Sequence, residues 1–402
     1  MVSGRSFLQI PGPTNVPDRV LRAMDRPVID HRGPEFARLV RGLLPDVARV
    51  FKSEQGKVVL YPASGTGAWE AALVNVLAPD DRVLSVQNGH FSMLFADAAR
   101  SLGFVVDEYE VEWGRGVPAD LVEEKLRADD ARGYKAVLVV HNETSTGATT
   151  DIAAIRKAID AAGHDALLIV DTVSSLGSID YRMDDWGVDV TLTGSQKGLM
   201  LPPGMAFLCV GPRALEISKA GGSPRNFFDW RRIIEDNAAG FFPYTPATLL
   251  LFGLREALDI MFEEGLENVF ARHRRLADGV RAAVEAWSLR NLCQDPREYS
   301  NSLTAVVVPD GFDSGDVIRA ARDMFDLSLG VGLSKVKGKI FRIGHLGALN
   351  ELEVIGTLGG VELALQACGI PVDLGAGVAA AQRSFTEGSR VPVTAAQPAA
   401  AR

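Results

Sequence analysis

Lys197 lies in Gly194-Ser195-Gln196-Lys197-Gly198, among small neutral residues just after the apolar run Val190–Thr193. A lone lysine in such a loop is most often an exposed surface group. A lysine partly withdrawn from water beside a carbonyl compound is instead a nucleophile that can form a Schiff base. Upstream, the apolar run Leu167–Asp171 ends in a carboxylate. An acid there can cap a helix or shape a turn. It can also keep a proton on a nearby ring nitrogen. A third group is Ala63-Ser64-Gly65-Thr66-Gly67-Ala68-Trp69-Glu70, between the apolar run Val58–Leu60 and a helix-like stretch. Glycine lets the backbone approach an anion, and a helix start offers free N–H groups, so the segment suits a phosphate. A dinucleotide fingerprint would need glycine where Glu70 stands, and a P-loop would need a GK[ST] ending that is absent. Last comes Phe341-Arg342-Ile343-Gly344-His345. Its arginine offers a planar, two-pronged donor for a substrate carboxylate, or merely an ion pair with a surface acid.

These groups need elements to carry them. Candidate strands are Val58–Leu60, Arg82–Val86, Val137–His141, Leu167–Asp171, Val190–Thr193 and Ala206–Val210. Several lack polar alternation, as strands buried on both faces do. Helix-like stretches lie between them: Ala68–Leu77, Phe91–Leu102, Asp120–Ala128 and Ile152–Ala162. The alternation predicts a mainly parallel α/β sheet, with ligands at the C-terminal strand ends. Leu249–Phe262 and Leu266–Trp287 read as long helices, the second leading into a smaller domain. There Ser302–Val308 and Ile340–Ile343 read as strands, and Asp316–Met324 and Glu351–Cys368 as helices. The expected division is an N-terminal segment 1–15 lining the site, a large domain 16–265, a small domain 266–378 and a disordered tail 379–402.

The 402 residues exceed what one core usually serves, and 47% apolar with 23% charged residues is an ordinary globular composition. A net charge of −9 gives no basic surface for nucleic acid. Cys209, Cys293 and Cys368 are scattered and odd in number, which argues against a disulfide framework or a zinc site. The opening residues lack the apolar run of a signal peptide, so a cytoplasmic protein is expected.

Taken together, a Gly-rich turn, a strand-end acid, a lysine and a late arginine fit pyridoxal phosphate (PLP). Its phosphate needs the turn, its ring nitrogen needs the acid, and its aldehyde needs the lysine. The chain resembles the class V aminotransferases of fold type I, and within them the serine–glyoxylate and alanine–glyoxylate group, with aspartate–glyoxylate enzymes close by. The resemblance runs from Pro11 to about residue 380. It rests on Ser64–Gly67, Asn88–Phe91, His141–Gly147, Val170–Ser175, Gly194–Gly198, Tyr244–Pro246 and Phe341–Gly344, together with Asp30-His31-Arg32.

That resemblance implies a large domain on a mainly parallel seven-stranded sheet between helices, and a smaller C-terminal α+β domain. It implies that Gly65, Thr66 and Gly67 bind the phosphate, with help from Gln196. Phe91 would stack on the ring, where many relatives have tryptophan, and Val173 would pack on the opposite face. Thr144 would bond near the ring hydroxyl. Asp171 would pair with the ring nitrogen, and Lys197 would act as covalent anchor and as acid/base. Tyr244 and Thr245 would complete the phosphate site of a neighbouring subunit, making a homodimer or higher homo-oligomer. Arg342 would clamp the substrate carboxylate, with Gly12 and Asn15 on the substrate side. The implied reaction moves an amino group from a donor, serine favoured, to glyoxylate, giving glycine and a 2-oxo acid. Aspartate or alanine is the alternative donor, and no metal is expected.

His31, His90, His141 and His345 fall near these motifs without metal-ligand spacing. A structural role is the default reading, with His31 and His345 the two to look for in the pocket. A cysteine desulfurase would need a mobile catalytic cysteine, for which Cys293 is the one loop candidate. A lyase or decarboxylase stays open on motifs alone. A nucleotide-dependent dehydrogenase or a binding module is the reading from another class.

Overall fold

The computed structural model describes residues 6–387. Seven strands form one sheet in the order Lys57–Tyr61, Ala206–Val210, Val190–Gly194, Leu167–Asp171, Tyr134–Val140, Arg82–Gln87 and Val105–Glu110. Ala206–Val210 runs against its two neighbours, and the other pairs are parallel. Leu167–Asp171, Val190–Gly194 and Ala206–Val210 are buried at every residue, which explains their unbroken apolar runs. Helices pack on the sheet. Gly65–Val76 lies against Val190–Gly194 and Ala206–Val210, and His90–Ser101 lies against Arg82–Gln87 and Tyr134–Val140. One core gathers side chains from Val20 to Met261.

A second core gathers side chains from Leu276 to Phe385 around a five-stranded sheet. Its order is Phe7–Gln9, Leu327–Val331, Ile340–Gly344, Leu303–Val307 and Arg290–Asn291. Phe7–Gln9 pairs in parallel with Leu327–Leu329, so the start of the chain belongs to the small sheet before it reaches the site. The segment expected to line the site thus also supplies a strand to the small sheet. The tail expectation is corrected. Residues 379–387 belong to the helix Ala376–Glu387, whose Phe385 ring lies against Gly279 of Leu266–Ala286. An alanine-rich stretch hides its helical stripe in the sequence, but its buried Ala380, Ala381 and Phe385 find the small-domain core. The rest of that tail, and residues 1–5, lie outside the described residues. Among the described residues, no helix is long and apolar enough to cross a membrane.

Candidate active site

Five parallel strands end along one edge of the large sheet, and each end leads into a site segment. Lys57–Tyr61 leads to Ser64–Thr66, Arg82–Gln87 to Phe91, and Tyr134–Val140 to Asn142 and Thr144. Leu167–Asp171 leads to Val173, and Val190–Gly194 to Gln196 and Lys197. A cavity of about 250 Å³ opens at this edge, where open α/β sheets gather their ligands. Gly12, Gly65, Thr66, Phe91, Thr144, Asp171, Val173, Gln196 and Lys197, all expected at the site, line it.

Lys197 is 8% exposed. Its Nζ donates to the carbonyl of Pro11 in the N-terminal segment. Loss of water drives its pKa down to about 8, helped by the positive charge of Arg342 and opposed by Asp171. The segment 11–14 is tied down beside it. Thr14 N donates to Gln196 O at 3.1 Å, and Thr14 Oγ1 donates to Lys197 O at 3.1 Å. Gly12 has φ +108°, and a Cβ there would fall 2.5 Å from Lys197 Cδ and 2.6 Å from Nζ. The left-handed backbone favours glycine at position 12, and any side chain there would also displace the end of Lys197.

Asp171 is 3% exposed at the end of its strand. Burial raises its pKa to about 6. Two donors oppose this, Val173 N on Oδ1 at 2.6 Å and Trp69 Nε1 on Oδ2 at 2.8 Å. Lys197 and Asp171 thus line one cavity, an ammonium and a carboxylate each displaced toward neutrality by the same desolvation.

The third end of the cavity fits a phosphate. The helix Gly65–Val76 starts at Ser64, whose side chain makes no capping bond. The amides of Gly65, Thr66 and Gly67 have no acceptor within the helix, and the dipole there favours an anion. A Cβ on Gly65 would come 2.8 Å from Val173 Cγ2, so backbone and cavity wall close up only with glycine. Phe91 and Val173 add apolar lining to the same cavity. Amides for a phosphate, a carboxylate for a pyridine nitrogen and a desolvated amine for an aldehyde are the donor set that pyridoxal phosphate requires.

The side chains of Arg342, Asn15, Tyr244 and Thr245 stand off the cavity. Arg342 is buried on Ile340–Gly344, with Nε donating to Val331 O at 2.9 Å and Nη1 to Thr144 O at 2.8 Å. Thr144 lines the cavity, so Arg342 sits behind its wall. Its Nη1–Nη2 edge still has N–H groups to spare. Burial lowers its pKa to about 10, and Glu143 opposes the shift. Thr144 Oγ1 donates to Ser174 Oγ at 2.6 Å. Asn15 turns its amide back to Leu8 O at 3.3 Å, bracing the N-terminal segment instead of lining the cavity. Gly67 lies within the first helical turn, packed near Ala63. Tyr244 donates to Leu60 O at 2.7 Å within its own chain, and Thr245 is exposed.

His345 is fully buried between Thr304 Oγ1 (3.0 Å) and Asn301 O (3.1 Å), away from the cavity. His141 bonds Ser175 Oγ at 2.9 Å, and burial lowers its pKa to about 4. His31 does not line the cavity either, and its Nε2 is buried without a partner among the described residues. Cys293 is buried against Asp295 O at 3.7 Å and holds a thiol raised to about 11, the reverse of a reactive cysteine.

Three contributors escaped the sequence reading. Trp69 follows Thr66 by one helical turn, a spacing that signals a shared face. Pro11 acts through its carbonyl, which no side-chain motif reveals. Glu143, fully buried, accepts Ser92 N at 2.9 Å, Phe91 N at 3.1 Å and Ser145 Oγ at 2.6 Å, and so fixes the start of the helix carrying Phe91.

The chain is 50% identical over 379 residues to a serine–glyoxylate aminotransferase of Arabidopsis thaliana, covering 94% of each. It is 48% identical over 378 residues to an L-aspartate–glyoxylate aminotransferase of Paracoccus denitrificans, covering 94% of this chain and 96% of that one. Its fold superposes on the crystal structure of ureidoglycine–glyoxylate aminotransferase from Bacillus subtilis with a TM-score of 0.88 at 28% identity, covering 96% and 99% of the two chains. Residues 6–334 match the family described as aminotransferase class-V. With this match on the cavity's own strands and turns, the chain belongs to the class-V aminotransferases, whose cofactor is pyridoxal phosphate.

Proposed function

We propose that the protein transfers the amino group of serine to glyoxylate, giving glycine and hydroxypyruvate. The observation that carries the reading is the meeting of Lys197, Asp171 and an open helix start in one cavity of a chain similar over nearly its whole length to serine–glyoxylate aminotransferases. Pyridoxal phosphate supplies, when bound, the electron sink that makes the α-proton of an amino acid removable. Lys197 would hold the cofactor's aldehyde carbon through its Nζ. The same Nζ would take the α-proton and return it. A pKa near 8 suits both directions at neutral pH. Asp171 would accept a hydrogen bond from the protonated ring nitrogen and keep the proton there, and the amides of Gly65, Thr66 and Gly67 would hold the phosphate. Arg342 receives the α-carboxylate of donor and acceptor in turn, through the edge that the carbonyls of Val331 and Thr144 leave free. Tyr244 and Thr245 complete the phosphate site of a second copy in a homodimer. Three unpaired cysteines suit a reducing, cytoplasmic compartment.

Aspartate is the second reading, favoured by the 48% identity to the aspartate–glyoxylate relative. A donor panel at fixed glyoxylate, read as glycine formed, decides between them. Serine is expected to give the highest kcat/KM. A large advantage for aspartate would make the donor assignment wrong, and no glycine from any donor would remove glyoxylate as acceptor.

A further inference from the structure

Trp69 lies on the helix Gly65–Val76, three residues after Thr66, and both line the cavity. That spacing puts them on one helix face. The Trp69 side chain is buried and stacks on Phe95 with centroids 5.4 Å apart and planes at 17°. An indole N–H can only donate, and this one donates to Asp171 Oδ2 at 2.8 Å. The other oxygen, Oδ1, takes Val173 N at 2.6 Å. The two donors come from different elements and hold opposite ends of the carboxylate, so its plane is fixed. Each also favours the ionised form. Burial pulls the other way, because a carboxylate out of water binds its proton more tightly.

We propose that Trp69 is a positioning residue that keeps Asp171 ionised and aimed at the ring nitrogen of the cofactor, so that the proton of that pair stays on the nitrogen. The proposal rests on the reading above, in which Asp171 faces that nitrogen. Val173 N is part of the same turn as Asp171 and comes with the backbone. Trp69 supplies the one side-chain hydrogen bond that Asp171 accepts among the described residues. A single helix therefore governs both ends of the cofactor, its leading amides at the phosphate and its indole at the acid. Trp69 acts on the ring nitrogen through Asp171, so its removal leaves the carboxylate in place but frees it to tilt and to take the proton.

The test uses holoenzyme carrying pyridoxal phosphate labelled with 15N in the ring. In wild type the 15N resonance is expected at the pyridinium position. In Trp69→Phe, which keeps an aromatic ring against Phe95, it moves toward the neutral pyridine position. There kcat falls about tenfold with little change in KM, as expected for losing one hydrogen bond to a charged group. Phe95→Leu loosens the stack but leaves the indole N–H, and is expected to keep the wild-type resonance. A Trp69→Phe enzyme with wild-type resonance and kcat overturns the proposal. So does a Phe95→Leu enzyme whose resonance moves as far as that of Trp69→Phe, since packing would then set the protonation. If Trp69→Phe does not fold, 3-benzothienylalanine at position 69 replaces the N–H with sulfur at the same shape and gives the same two outcomes. Asp171→Asn separates the underlying reading from the proposal. A resonance unmoved by Asp171→Asn defeats the placement of Asp171 itself. One moved by Asp171→Asn but not by Trp69→Phe defeats only the role of Trp69.

Discussion

The amine of Lys197 gives up its hydration and keeps the Pro11 carbonyl in exchange. Its pKa near 8, against 10.5 in water, has a kinetic consequence. Only the neutral amine attacks an aldehyde. The rate at which cofactor-free protein captures pyridoxal phosphate should therefore climb about tenfold per pH unit below pH 8 and flatten above it. A lysine in its ordinary range would make the rate keep climbing toward pH 10.5, which stopped-flow absorbance would detect. Asp171→Asn should leave the fold intact and lower kcat by about a hundredfold or more, because the ring nitrogen loses its anionic partner. Normal turnover in that variant would remove Asp171 from the mechanism. Arg342→Lys should raise KM for donor and acceptor alike by about tenfold, since an ammonium cannot reproduce a planar two-pronged contact. Unchanged KM values would count against the clamp. Lys197 and Asp171 were legible because strand-end residues announce their position through the apolar runs before them. Trp69 and Pro11 were not, because their roles depend on which segments meet in space.

The elements place these residues through their ends. Strands buried on both faces were readable, and Leu167–Asp171 and Ala206–Val210 fall where their apolar runs predict. Val137–His141 instead runs Tyr134–Val140, since His141 already turns to Ser175. The edge strand Val105–Glu110 escaped because it is polar and never fully buried. Pro34–Val50 escaped because it carries Pro45 inside the helix, a residue that reads as a breaker. The clearest element-scale signal is the start of Glu351–Ala367. There Asn350 accepts Leu352 N at 2.9 Å and Glu353 N at 3.1 Å. Asn350→Ala should cost about 1 kcal/mol of stability with kcat unchanged, measured by denaturant midpoint and turnover on one preparation. An unchanged midpoint would show that the cap is dispensable.

At the scale of the whole molecule, the N-terminal segment runs from the small sheet to Lys197, and Arg342 rises from that same sheet. The small sheet therefore reaches Lys197 through the Pro11 carbonyl and the cavity wall through the bond from Arg342 to Thr144 O, and neither link is apparent from the order of motifs along the chain. The second whole-molecule feature is the proposed homodimer. If Tyr244 of one copy completes the site of the other, mixing inactive Lys197→Ala with a crippled Tyr244→Ala form should restore about a quarter of wild-type activity. Random exchange of subunits gives one intact site in each hybrid. No recovery in proven hybrids would place Tyr244 in the service of its own chain alone.

The whole site turns on whether the amine at position 197 is the one that carries the cofactor. Borohydride reduction of the holoenzyme, followed by digestion and mass spectrometry, locates that amine. A stable phosphopyridoxyl mass is expected on the peptide containing Lys197 and none in Lys197→Ala. The modification on a different lysine, or on no lysine at all after saturation with pyridoxal phosphate, would contradict that assignment.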